Sequence, residues 1–325
     1  MLQRPRRNRK SQVIRELVQE TTLSEKDLIF PLFLTEGTNK VEVIKSMPNI
    51  FRFSLDTLLD EIASCQKVGI HSFALFPHFR EELKDSRGSL GWDSTNMYLK
   101  AVRKIKETFP AICMITDVAL DPYSSDGHDG IVKDGEILND ETLEVLGAMA
   151  LAQAQAGADI IAPSDMMDGR VGYIRRILDK NNFTNVSIMA YTAKYASAFY
   201  GPFRDALDSA PRHGDKKTYQ MNPANVREAC IEAALDTAEG ADFLMVKPAL
   251  SYLDVIKTLH DSSNLPIAAY NVSGEYAMVK AAAQQGWLDN DKTMCEILLS
   301  IKRAGAKVIL TYFAKEFATL QMRTK

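Results

Sequence analysis

Eight short runs of apolar and β-branched residues recur along the chain, most of them separated by a segment of helical periodicity, and this recurrence limits the fold more than any other feature. The runs are Leu28–Thr35, Ser72–Pro77, Ala111–Leu120, Asp159–Ser164, Ser187–Ala193, Phe243–Lys247, Ile267–Val272 and Val308–Phe313. LIFPLFL, FLMVK and VILTYF are nearly continuous apolar stretches, as in a parallel sheet covered by helices outside and filled by a core inside. Leu143–Gln155, Asn225–Ala238 and Glu275–Gln285 are rich in Ala, Leu, Glu and Gln and read as helices. AGAD at Ala156–Asp159, GADF at Gly240–Phe243 and AGAK at Ala304–Lys307 each set a glycine between a helix and the next strand. The pattern predicts an α/β chain folded as a (β/α)8 TIM barrel over residues 28–325, preceded by an extended N-terminal arm, 1–27. A doubly wound open sheet is the alternative, but neither GxGxxG nor GxxxxGK[ST] follows the first strand.

Composition narrows the partners. With 46% hydrophobic and 25% charged residues the chain can bury a full core, and a net charge of −3 lacks the positive field of a nucleic-acid binder. Cys65, Cys113, Cys230 and Cys295 lie far apart and form no zinc-ligand spacing, so the expected setting is a reducing cytoplasm. No apolar run reaches the length of a membrane span, and no signal-peptide pattern opens the chain. The basic stretch Arg4–Lys10 suggests a transit peptide or a nucleic-acid arm, but Glu16, Glu20 and Glu25 argue against transit. An arm that ties subunits together or lies on the barrel surface is the plainer reading.

A barrel does its chemistry where strands end and the following loops begin. Lys194 follows the fifth run and Lys247 ends the sixth, so two amines from neighbouring strands are expected to meet in one cavity. Two ammonium groups packed close in a partly apolar site depress each other's pKa and leave a neutral amine able to attack a ketone. A solvated surface lysine is the ordinary alternative, yet Lys247 sits between Met245-Val246 and Pro248, where a merely solubilising charge is costly.

The residues around these lysines carry a resemblance: SDMMDGR (Ser164–Arg170), MAYTAKYASAFYGPFRDA (Met189–Ala206), YQMNPAN (Tyr219–Asn225), LMVKPAL (Leu244–Leu250), YNVSGEYAM (Tyr270–Met278) and ILTYFAKE (Ile309–Glu316). With the RPRRNRKS arm they resemble the porphobilinogen synthase, or 5-aminolevulinate dehydratase, family over nearly the whole chain. The resemblance implies a lyase that joins two 5-aminolevulinate molecules into porphobilinogen, with loss of two waters, early in tetrapyrrole synthesis. It implies that Lys247 binds the first substrate as a Schiff base and that Lys194 activates the second. Ser273 and Tyr312 then hold the first carboxylate, and Arg204, Lys216 and Gln220 the second. Lys216 departs from the arginine common at that position, and the polar segment Asp205–Thr218 takes the place of a closing lid.

Many members of the family bind a catalytic zinc through three cysteines after the third strand. This chain reads DVALDPYSSDGHDG, with Ala119, Asp121 and Asp129 at the cysteine positions and Asp126 for a histidine. Carboxylates suit hard cations better than zinc, so zinc is not expected and the resemblance is to the magnesium-responsive type. Asp121 and Asp129 then bind Mg²⁺, bind a monovalent cation, or stabilise positive charge near Lys194. Glu232 aligns with a glutamate that holds an allosteric Mg²⁺ supporting the contact between one subunit's arm and a neighbour's barrel in an octamer. Asp117 and Asp165 are candidates for moving protons, and Tyr191, Tyr195, Phe203 and Tyr276 for walling the cavity. A Schiff-base aldolase or a catalytically silent barrel are the rival readings.

Overall fold

The computed structural model describes residues 1–324. All eight strands form: β1 (Leu28–Leu34), β2 (Ser72–Pro77), β3 (Cys113–Val118), β4 (Ile160–Pro163), β5 (Ser187–Lys194), β6 (Phe243–Lys247), β7 (Ile267–Asn271) and β8 (Val308–Thr311). Each is parallel to its neighbour, and β8 returns to β1 through Leu28↔Ile309 and Ile29↔Leu310, which closes the barrel. Every residue of β1 is buried, because helices cover its outer face and the core fills its inner one.

Helix Met97–Thr108 shows how the outer layer is made. Asn96 caps it by accepting the Leu99 amide at 2.8 Å, and Tyr98, Ala101, Val102 and Ile105 repeat at helical spacing to form its buried stripe. Gly157 and Gly240 end the helices Asn139–Ala156 and Arg227–Glu239 in the left-handed region, as the glycine motifs predict.

Two antiparallel hairpins were not predicted: Val41–Val43 with Phe51–Phe53, and Ile131–Lys133 with Glu136–Leu138. Three-residue strands carry too little periodicity to read. The second had a signal, since Asp134-Gly135 both take positive φ, the turn that an Asp-Gly pair favours. Lys194 closes β5 rather than following it, and the helix read from Glu275 starts at Ser273.

No residue before Leu28 is buried. The arm consists of a 3-10 turn, Pro5–Arg9, the helix Gln12–Leu17 and a 3-10 turn, Glu25–Asp27, which Lys302 anchors to the barrel at 2.9 Å. Its apolar side chains Val13, Leu17 and Val18 face solvent.

Candidate active site

Lys194 and Lys247 are partners in the β5–β6 register, so their side chains leave the same face of the sheet side by side. Both amines approach the ring of Tyr191, at 6.0 and 5.1 Å from its centre. Lys247 is also ringed by Tyr200, Phe203 and Tyr270 at 5.2, 5.0 and 4.6 Å. Among the described residues no carboxylate touches it, and burial followed by the nearby Lys194 ammonium pushes its pKa down to about 7. Lys247 is therefore a half-neutral amine at neutral pH, with the nucleophilicity that imine formation requires.

Lys194 has a different environment. Its Nζ donates to Asp129 Oδ2 at 2.9 Å and to the Ser164 carbonyl. The other oxygen of Asp129 lies 2.5 Å from Lys216 Nζ, which also stands 3.4 Å from Asp121. Burial would raise the Asp129 carboxyl, but the Lys194 and Lys216 ammonium groups outweigh it and hold it below the usual carboxylate range. Burial likewise opposes the charge on Lys216, and Asp121 and Asp129 keep its pKa above normal. The aspartate loop thus already has its cations, supplied by the chain itself. Both oxygens of Asp129 are already taken by ammonium groups, which leaves little room for a metal ion between Asp121 and Asp129.

Asp117, half-buried near the end of β3, accepts the Ser164 hydroxyl at 3.0 Å; desolvation raises its pKa to about 7 against the pull of both lysines. A carboxyl and an amine that both titrate near neutrality can exchange protons at little cost. Asp165 is differently engaged: it accepts the Met167 amide at 2.7 Å and sits 3.9 Å from the buried guanidinium of Arg170, which pairs with Asp236. Its Oδ2 is buried without a hydrogen-bond partner among the described residues, and burial raises its pKa to about 6 against the pull of Arg170, so it keeps a carboxyl able to carry a proton, though not in contact with either lysine.

The hydroxyls read as the first carboxylate's donors lie beside the Lys247 box. Tyr312 hydrogen-bonds Tyr270 through their hydroxyls at 2.9 Å, and Ser273 accepts the Phe203 amide at 3.0 Å. Of the four predicted wall residues, Tyr191 and Phe203 flank Lys247. Tyr195 instead stacks on Tyr252 at 4.2 Å, and Tyr276 packs on Phe313 while donating to the Pro48 carbonyl. Tyr200 and Tyr270 were missed, although each stands within one of the quoted motifs.

The segment 205–218 lies down over the mouth and leaves a cavity of about 30 Å³ bordered by Lys194, Arg204, Lys216, Gln220 and Lys247, room for little more than water. Substrate entry therefore needs this segment to lift. Arg52 holds it by donating to the carbonyls of Asp205 and Ala206, each at 2.6 Å, and Lys84 by donating to that of Asp208 at 2.8 Å. His128 Nε2 donates to the His213 carbonyl at 2.8 Å while Nδ1 accepts from Tyr219 at 3.0 Å, and the Tyr219 oxygen accepts the Asp129 amide at 3.3 Å. Gly127 permits the close approach, because a Cβ there would lie 2.2 Å from the Ala210 carbonyl oxygen. Closure and the placement of Asp129 are thereby one event.

Glu232 belongs to a separate cavity on helix Arg227–Glu239, of about 520 Å³, with Glu228 and Asp168 on its walls. Burial, reinforced by acidic neighbours and opposed by Arg170, raises the Glu232 carboxyl to about 7. A cavity with these carboxyl groups on its walls offers oxygen donors of the kind that a hard, largely hydrated cation takes.

Barrel, aromatic box and paired amines define a class: enzymes that activate carbonyl compounds as imines on lysine. The delta-aminolevulinic acid dehydratase family model matches residues 2–320, and this chain belongs to that family. It is 55% identical over 322 residues to the chloroplastic delta-aminolevulinic acid dehydratase of Oryza sativa subsp. japonica, covering 98% of this chain and 75% of that one. It is 54% identical over 311 residues to the Chlamydia pneumoniae enzyme, covering 96% and 94%. The Toxoplasma gondii ME49 enzyme, solved with the reaction product porphobilinogen, superposes with a TM-score of 0.99 at 49% identity, covering 100% of this chain and 93% of that one.

Proposed function

We infer that the protein condenses two molecules of 5-aminolevulinate into porphobilinogen. The observation that carries this is the pair of in-register amines sharing the face of Tyr191, one of them titrating near 7. Each ketone loses its oxygen as one water on forming an imine, which accounts for both waters. The carbon–carbon and carbon–nitrogen bonds that follow expel the lysine amines and regenerate the site. The chain's share is to hold two flexible keto acids at reacting distance, replacing a bimolecular encounter. It also supplies Asp117 to take and return protons beside the iminium.

Trapping with borohydride tests the reading. At saturating 5-aminolevulinate a reduced adduct is expected on Lys247, forming about tenfold more slowly per pH unit below 7 and levelling off above it. The sign follows from the amine, which must be neutral to attack. An adduct rate that kept climbing to pH 10 would mean an ordinary solvated lysine, and no adduct with no pyrrole would favour a silent barrel.

We propose further that Asp121 and Asp129 stabilise charge near Lys194 instead of binding a metal, and that Glu232 helps hold a hydrated Mg²⁺. Magnesium there would add a compact positive charge to an acidic cavity. The exposed apolar face of the arm supports a homo-oligomer, in the family's manner an octamer. Chelation is expected to lower both activity and the mass seen by light scattering, with Mg²⁺ restoring both in wild type but not in Glu232→Gln. An equal response of the variant would remove Glu232 from the role.

A further inference from the structure

We propose that the Ser209 hydroxyl donates directly to the carboxylate of the second 5-aminolevulinate, so that the lid itself recognises substrate; this rests on the function inferred above. Ser209 is 1% exposed and Gln220 4%, and both border the small cavity between Lys194 and Lys247. Among the described residues the Ser209 hydroxyl has no hydrogen-bond partner. Buried serine hydroxyls are ordinarily paired, because an unpaired one forfeits its hydration. Ser300 and Ser262 show the usual local solution, donating to the carbonyls four residues earlier at 2.7 and 2.8 Å. Ser209 makes no such bond and is left with an unused donor on a residue that borders the cavity.

Its position is fixed from both sides. Asp208 takes a left-handed φ of 50°, which turns the chain sharply at the end of the lid helix Gly201–Leu207, and Lys84 holds the Asp208 carbonyl at 2.8 Å. On the other side the Ala210 carbonyl lies against Gly127. The hydroxyl therefore reaches the cavity only when the lid is down.

The neighbours identify the ligand's chemistry. Arg204 borders the same cavity and has no ion pair among the described residues, so its charge awaits an anion. Lys216 is committed to Asp129 at 2.5 Å, which leaves a carboxylate short of donors on that side. Ser209 and the Gln220 amide supply them beside the guanidinium, an arrangement suited to a carboxylate with several lone pairs to fill.

The test compares full-length wild type, Ser209→Ala and Ser209→Thr by steady-state kinetics, melting temperature and mass spectrometry after borohydride trapping. Ser209→Ala is expected to raise KM for 5-aminolevulinate about tenfold with kcat changed less than about threefold. Its melting temperature should be unchanged or higher, since no protein hydrogen bond is lost. Trapped adduct should fall on Lys194 relative to Lys247, and Ser209→Thr should restore most of the affinity. A wild-type KM in Ser209→Ala, or a raised KM that Ser209→Thr leaves unrescued together with a lower melting temperature, would overturn the assignment while the function stood. Absence of turnover in wild type would overturn both.

Discussion

Replacing Lys247 with methionine is expected to lower kcat by about 10⁴-fold or more while leaving the fold as stable as before or more so. The loss follows from removing the nucleophile itself. The stability follows from its surroundings: four aromatic rings and no carboxylate contact. An apolar side chain of similar length meets the same rings without the desolvation that the amine suffers. A rise of about 2–4 °C in melting temperature is expected. Its pH dependence has a definite sign. The folded amine titrates near 7 and an unfolded lysine near about 10.4, so the unfolded chain binds the extra proton between those values. Wild-type stability therefore gains from this group as pH rises from 7 toward 10, and the variant's advantage is greatest below 7. A marked fall in melting temperature at neutral pH would contradict the environment described for Lys247, and retained turnover would contradict its role.

Asp129→Ala is expected to have the largest effect on stability. One carboxylate serves two buried ammonium groups, Lys194 at 2.9 Å and Lys216 at 2.5 Å. Removing it leaves Lys194 with the Ser164 carbonyl and no counter-charge in contact, and Lys216 with Asp121 at 3.4 Å, and breaking a buried pair in this way costs about 3–5 kcal/mol. For a chain of this size that is a fall on the order of 10 °C. Turnover should drop with it, because Lys194 loses its alignment and the lid loses the ion pair from Lys216 that ties it to the barrel. The folded carboxyl lies below its unfolded value, so its contribution is present above about pH 4 and is lost as acid titrates the folded group. The gap between wild type and variant should thus persist across neutral pH and close only in strong acid. If chelators lowered wild-type stability to that of Asp129→Ala, a metal would hold the loop. If the variant melted within a degree or two of wild type, the double ion pair would not anchor it.

Much of this architecture was legible in the chain because its signals are local. Apolar runs of strand length and glycines at helix ends act over a few residues, and the two mouth lysines follow from strand order alone. Asp165 shows the limit of such reasoning. Position at a strand end suggested proton chemistry, but only the fold shows that Asp165 stands 3.9 Å from Arg170, which Asp236 shares, and that burial still raises its carboxyl to about 6. Tyr195 and Tyr276 likewise stand in the right motifs and face other partners, while Tyr200 and Tyr270 close the box around Lys247.

Sequence by itself determined the barrel, the identity of the two amines and the exchange of cysteine for aspartate after the third strand. Each of those is written in residue type and spacing. Only the tertiary structure decided that Lys216 neutralises Asp129 across 87 residues of chain, that Lys247 lies among rings while Lys194 lies among oxygens, and that Ser209 keeps an unspent hydroxyl. The physical reason is that charge state and hydrogen bonding depend on which distant groups exclude water together, and that is settled only when the lid and the strand ends close on one another.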